Sequence, residues 1–153
     1  MTSLCCDVLK RLEGKTIVTA ESITGGGIGS ALTAVPGSSA VYKGGVISYT
    51  NEVKHNLLGV DYALLNTFGA VSAPVAEAMA LGARKALEAD VAVSVTGLAG
   101  PGGDEFGNPV GTVFIGFSDE NIITIKECHF TGSREEIREK TIQAALELVL
   151  EMT

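Results

Sequence analysis

The chain has no tryptophan, two histidines and three cysteines in 153 residues, and aromatic residues make up only 5% of it. Each scarcity excludes a class of function. His55 and His129 leave little material for a histidine-based triad or a histidine-rich metal site. Cys5, Cys6 and Cys128 form neither a disulfide framework nor a zinc spacing, and they read as packing residues. Cys128 and His129 are neighbours on an expected strand, so they point to opposite faces and cannot act on one another. Basic residues are scattered, aromatics for base stacking are sparse and the net charge is −7, which argues against nucleic acid as a partner. Although 46% of residues are hydrophobic, no apolar run approaches the roughly 18 residues of a membrane span. Met1 to Leu12 lacks the layout of a signal peptide, so the expected home is the cytoplasm. The length suits a single domain over residues 1–153.

Glycine, by contrast, is plentiful and clustered. Thr19-Ala-Glu-Ser-Ile-Thr-Gly-Gly-Gly27 starts where the β-branched run Thr16-Ile17-Val18 stops, and it ends where a helix-like run from Ile28 to Val35 begins. A strand, a glycine turn carrying a hydroxyl and a helix start thus follow one another closely. This geometry exposes Ser22 and turns backbone N–H groups outward, as either a nucleophile or an anion cradle requires. It is neither a Gly-x-Ser-x-Gly elbow nor a Walker loop, because no lysine follows the glycines. A second apolar run, Val91 to Val95, enters Thr96-Gly-Leu-Ala-Gly-Pro-Gly-Gly-Asp104. Two glycine loops, each after a buried strand, suggest one carboxyl edge of a parallel sheet, where open α/β sheets bind ligands.

The remaining pattern predicts helices over 3–13, 26–35, 51–58, 72–88 and from Ser133 to the end, with a short helix or loop over 61–69. It predicts strands over 16–20, 40–49, 90–95, 111–118 and 121–130, the last two as a hairpin turning at Asp119-Glu120. Gly44 and Gly45 mark a bulge or a close approach. Thr50 or Asn51 caps the third helix, and Ser133-Arg-Glu-Glu136 is a capping box. The fold class is therefore α/β: a three-layer α/β/α sandwich with a mixed, mostly parallel five-stranded sheet.

Six ordered segments carry a family resemblance: Thr19-Ala-Glu-Ser-Ile-Thr-Gly-Gly26, Pro36-Gly-Ser-Ser-Ala40, Gly44-Gly-Val-Ile-Ser-Tyr-Thr-Asn-Glu-Val-Lys54, Gly69-Ala-Val-Ser72, Thr96-Gly-Leu-Ala-Gly-Pro-Gly-Gly103 and Pro109-Val-Gly-Thr112. Over about residues 5–150 the chain resembles the CinA C-terminal domain family, whose characterised activity is nicotinamide-nucleotide amidase. The resemblance implies hydrolysis of the carboxamide of nicotinamide mononucleotide to the nicotinate nucleotide and ammonia. It implies a serine at Ser22, a lysine at Lys54 and no metal or cofactor. The length resembles that of the stand-alone amidase, without the fused N-terminal pyrophosphatase-like domain of other members. Ile23, Asn108 and Ser133 stand where the family usually has Cys, Lys and Asp; none of these departures touches the serine or the lysine.

Read as chemistry, Ser22 is the nucleophile candidate, with capping of the following helix as its alternative role. Lys54 lies in the first turn of its helix, where the dipole disfavours a cation and favours a neutral amine able to act as a base. The alternative is a solvated surface lysine. Tyr49 is a candidate to donate to Lys54 or to stack on the pyridinium ring, against plain core packing. Glu21 is a candidate to orient Lys54 or to bind ribose, against a plain charge at the helix start. The N–H groups of Thr24, Gly25 and Gly26 suit an oxyanion or the phosphate, and Thr96 and Gly97 suit the opposite wall. Arg134 and Arg138 are phosphate candidates, with pairing to Glu135 or Glu139 the alternative for Arg138. A small nucleotide is the expected partner, and the sequence leaves room for a homo-oligomer. The competing reading is a non-catalytic nucleotide-binding or competence-related interaction module.

Overall fold

The computed structural model describes residues 1–153. It contains α1 (Thr2–Arg11), β1 (Ile17–Glu21), α2 (Gly27–Thr33), a 3-10 turn at Ser38–Ala40, β2 (Tyr42–Ile47), α3 (Asn51–Leu58), α4 (Tyr62–Phe68), α5 (Ala73–Ala86), β3 (Val91–Gly97), β4 (Thr112–Ser118), β5 (Ile123–His129) and α6 (Arg134–Met152). The expected sandwich and its five-stranded sheet are what forms. The strand order is β2-β1-β3-β4-β5. β1 pairs in parallel with β2 and β3, while β4 runs antiparallel to both β3 and β5. β5 therefore points the same way as β1, β2 and β3.

Helices α1, α2 and α6 cover one face of the sheet, and α3, α4 and α5 cover the other. Burial follows from the strand composition. All residues of β1 are buried, and so is every residue of β3 except Gly97. This two-sided burial is what continuous apolar runs in central strands predict. The larger core joins Val8, Ile17, Ile28, Val93, Phe117 and Leu146 under α1, α2 and α6; the second joins Val18, Leu58, Val75, Met79 and Ala92 under α3 to α5. Cys5 and Cys128 are buried, and all three cysteines are free thiols. His129, next to Cys128, faces outward.

The Gly44-Gly45 pair has both of its anticipated meanings. The β1–β2 register shifts between Ile17 and Val18, leaving Lys43 without a partner on β1. Gly44 has φ +152°, and a side chain at Gly45 would collide with the Thr19 hydroxyl. The Asp119 carboxylate accepts from the backbone of Asn121 and Ile122, so the β4–β5 turn extends through these residues and β5 starts later than expected. At α6, Ser133 and Glu136 form the reciprocal capping box that their spacing predicts. No helix is long and apolar enough to cross a membrane.

Candidate active site

Because four of the five strands run the same way, the segments leaving β1, β2, β3 and β5 converge on one edge of the sheet. Ser22 follows β1 directly. Lys54 comes from α3, the helix after β2, whose first turn is fixed by the Thr50 hydroxyl accepting from the Val53 N–H. Lys54 Nζ lies 3.1 Å from Ser22 Oγ and donates to the Ser48 carbonyl at 2.8 Å. Ser22 and Lys54 are 7% and 1% exposed. The chain's one ion pair joins His129 and Glu127 elsewhere, so Lys54 has no carboxylate partner. Burial alone pushes its ammonium down from the usual 10.5 to about 8. The lysine is not a solvated surface residue.

The geometry also defines the roles of donor and acceptor. A neutral amine has two protons and one lone pair. With one proton held by the Ser48 carbonyl, the lone pair can face the Ser22 hydroxyl, which is the arrangement a base requires. The main chain of Ser48 thus orients the lysine. The Ser48 side-chain hydroxyl is buried without a partner, and nothing in the structure explains it.

Glu21 does not orient Lys54 and does not line the cleft. Its carboxylate takes the place of a side-chain cap on α2, which has none at Gly26: Ile28 N–H donates to Oε1 and Gly29 N–H to Oε2. The helix-start reading of Glu21 therefore describes its position, and Ser22 is not the cap. Thr24, Gly25 and Gly26 also lie outside the cleft lining. The N–H groups at the start of α2 cannot cradle a phosphate, because the chain's own carboxylate already occupies that place. On the other side of the loop, Arg138 pairs with neither Glu135 nor Glu139. Its Nε donates to the Ile23 carbonyl and its Nη2 to the Thr24 carbonyl, both at 3.1 Å. With its carbonyls so held, the loop leaves the backbone N–H groups of Ile23 and Thr24 without a partner inside the chain.

The cleft itself, about 360 Å³, is lined by Ser22, Lys54, Tyr49, Asn51 and Arg134 and by the β3 exit from Thr96 to Gly100. Thr96 and Gly97 do form the opposite wall; the Thr96 hydroxyl donates to the Ala70 carbonyl. Gly97 needs its missing side chain, since a Cβ there would press on Val113 and on the Thr112 carbonyl. Tyr49 does not reach Lys54 and is not packed in the core. It is 61% exposed at the rim, where its phenol accepts from Arg134 Nη2 at 3.2 Å. Arg134 Nη1 also donates to the Gly100 carbonyl. The second glycine loop is pinned by Asn108, whose side-chain amide donates to the Val71 carbonyl and to the Asp104 carboxylate. Burial raises the Asp104 pKa, but hydrogen bonds from the Asn108 side chain and backbone and from the Phe106 N–H outweigh it and hold the carboxyl below its usual value. No group of three His, Cys, Asp or Glu side chains is placed to hold a metal.

A profile of the CinA C-terminal domain matches residues 2–153, nearly the whole of this architecture. The chain belongs to the CinA C-terminal domain family. It is 54% identical over 120 residues to a CinA-like protein of Cyanothece sp., covering 78% of this chain and 29% of that protein. The chain spans about a third of the length of the curated relatives it matches. Among solved structures it is similar to the competence/damage inducible protein CihA of Agrobacterium tumefaciens, with 41% identity, TM-score 0.95 and coverage of 98% of this chain and 93% of that one. A competence-damaged protein (CinA) superfamily protein of Escherichia coli gives 33% identity, TM-score 0.97 and coverage of 99% and 90%. The CinA C-terminal domain architecture is thus that of this chain.

Proposed function

We propose that this CinA-family protein hydrolyses the carboxamide of nicotinamide mononucleotide, with Ser22 as nucleophile and Lys54 as base. The observation that carries the reading is the contact between Ser22 Oγ and the buried Lys54 amine, which has no carboxylate partner. A pyridinium ring in the cleft adds a second positive charge, which disfavours the ammonium further.

In the proposed reaction, Ser22 Oγ attacks the carboxamide carbon while its proton passes to Lys54 Nζ. The tetrahedral oxyanion is met by the free N–H of Ile23, the residue after the nucleophile, which lines the cleft. The C–N bond then breaks and Lys54 returns the proton to the departing nitrogen, which leaves as ammonia. Water attacks the Ser22 ester, giving its proton to Lys54; collapse restores the Ser22 hydroxyl and releases the nicotinate nucleotide. Arg134, at the rim, is the cation for the phosphate. Tyr49 beside it offers an exposed ring for the pyridinium to stack on.

The test is ammonia release from nicotinamide mononucleotide by wild-type protein and by Ser22→Ala. Release by the wild type alone supports the reading. No release by well-folded wild type overturns it and leaves a nucleotide-binding module, for which stabilisation by the mononucleotide without turnover is the signature.

A further inference from the structure

The residue before the proposed nucleophile is a carboxylate that is 2% exposed and forms no ion pair. Four donors satisfy it instead. Thr24 Oγ1 at 2.6 Å and the Ile28 N–H at 2.8 Å reach Oε1, while Thr19 Oγ1 at 3.1 Å and the Gly29 N–H at 3.0 Å reach Oε2. The Tyr42 phenol lies 2.9 Å from Thr19 Oγ1. Since Thr19 gives its proton to Glu21, the phenol donates to Thr19, and the network extends to β2.

Consider what this does to the serine loop, residues 22–26. Glu21 itself is the last residue of β1, so the loop starts at the hub. The loop ends in α2, whose first free N–H groups are bonded to the same carboxylate, and Thr24 at mid-loop is bonded to it as well. Both ends and the middle therefore refer to one pair of oxygens. All lone pairs facing these donors are used, which leaves none for a substrate or for Lys54.

We propose that Glu21 is a positioning residue: its carboxylate fixes the serine loop so that Ser22 Oγ and the Ile23 N–H stand at set places against Lys54, without touching the substrate. This rests on the reading of Ser22 as the nucleophile given above. A displacement of about 1 Å at a reacting atom costs on the order of 100-fold in rate, so a device that sets the loop's place has a catalytic effect distinct from its effect on stability.

Glu21→Gln is the informative change. It keeps shape, but its amide nitrogen must face the fixed N–H of either Ile28 or Gly29, where no rotation relieves the conflict of two donors. Met79→Ala is the control: Met79 is fully buried in the other core, on the opposite face of the sheet from α2, and its loss lowers stability by a cavity. Steady-state kinetics on nicotinamide mononucleotide are measured where circular dichroism shows every variant folded. The expected result for Glu21→Gln is a kcat reduced by about 100-fold with KM within about threefold of wild type. Met79→Ala is expected to lose melting temperature and keep its kcat. A near-normal kcat for Glu21→Gln overturns the proposal, as does a loss carried by KM, which would make Glu21 a substrate contact. An equal kcat loss in Met79→Ala also overturns it.

A second readout does not need turnover. Nitrogen NMR of the Lys54 amine, titrated in wild type and Glu21→Gln, reports whether the loop has moved off the lysine and let water in. An upward shift of its titration in the variant is expected, and an unchanged titration overturns the proposal. If wild type releases no ammonia, the proposed amidase fails and this titration alone decides the positioning role. Should Glu21→Gln not fold, Thr24→Val takes its place, removing the shortest of the four bonds. Its expected kcat loss is about tenfold at constant KM, and an unchanged kcat overturns the proposal.

Discussion

Lys54 and Ser22 meet at 3.1 Å across 32 residues of sequence, and no charged side chain mediates the contact. The only other hydrogen bond of the Lys54 amine is to a main-chain carbonyl, that of Ser48. Several consequences can be measured.

Ser22→Ala is expected to lower kcat by at least about 1,000-fold, since the loop's other hydroxyl, that of Thr24, donates to Glu21 and lies outside the cleft lining. Affinity for the mononucleotide, read by calorimetry, should stay near that of the wild type, because the attacking oxygen contributes little to ground-state binding. A mutant that still turns over at a tenth of the normal rate or more would remove Ser22 from the chemistry.

Lys54 should separate activity from stability. Its folded-state pKa of about 8 lies below the 10.5 of the free side chain. The unfolded chain thus holds more protons between these values, and stability rises with pH across that window. At pH 7 the buried charge costs up to about 3 kcal/mol. Lys54→Met removes that cost but leaves the Ser48 carbonyl unpaired at about 1–2 kcal/mol. The expected net effect is a protein about 1 kcal/mol more stable, melting about 2–4 °C higher, and inactive. Lys54→Arg should be equally inactive, because a guanidinium cannot give up its proton. Calorimetry and ammonia release on the two variants check both halves, and an active Lys54→Arg would reduce the lysine to an electrostatic contact.

The same shift sets the pH–rate profile. The proposed reaction requires the neutral amine, so kcat/KM should rise with pH up to about 8 and level off above it, while the pyridinium of the bound substrate moves the break in kcat lower. A rate independent of pH between about 6 and 9 would contradict a lysine base.

The two arginines of α6, one turn apart, should fail differently. Arg134→Ala is expected to raise KM for the mononucleotide severalfold, and free nicotinamide should be a far poorer substrate than the mononucleotide because it lacks the phosphate that anchors the amide. Arg138→Ala should instead lower kcat by about tenfold with little change in KM, since its two bonds hold the carbonyls of Ile23 and Thr24. A common KM effect in both variants would mean that Arg138 too contacts substrate.

Much of this was legible in the sequence, and the illegible part has a physical reason. Apolar runs and their spacing place the five strands and every helix but α4, whose segment reads equally as a loop; burial on two faces leaves a continuous hydrophobic signature in β1 and β3. The two glycine loops announce one sheet edge by the general rule for open α/β sheets. Side-chain partners are another matter. Arg138 reaches Ile23 across 115 residues, and no local period encodes that contact. Tyr49 reads as a lysine partner, a stacking surface or core, and it stands at the rim, because β2 ends at Ile47 and the chain has already left the sheet. Two signals were available and faint. Lys54 lies one turn before buried Leu58, so they share the inner face of α3. Thr19 and Glu21 are two apart on a strand and so face the same helix.

The lone reversed strand, β4, has a consequence for how the candidate site can drift. It carries the chain to the far end of the sheet and back as a hairpin, which is why α6 begins beside the serine. A two-residue slip of β5 along β4 would keep every side chain on its own face, so the hydrophobic pattern offers no defence against it. Yet the slip would carry Arg134 and Arg138 about 7 Å from their places, disarming the site in a molecule that still looks folded. Two small fasteners guard against that silent error: the Asp119 turn at one end of the hairpin, and at the other the grip of Arg138 on the serine loop.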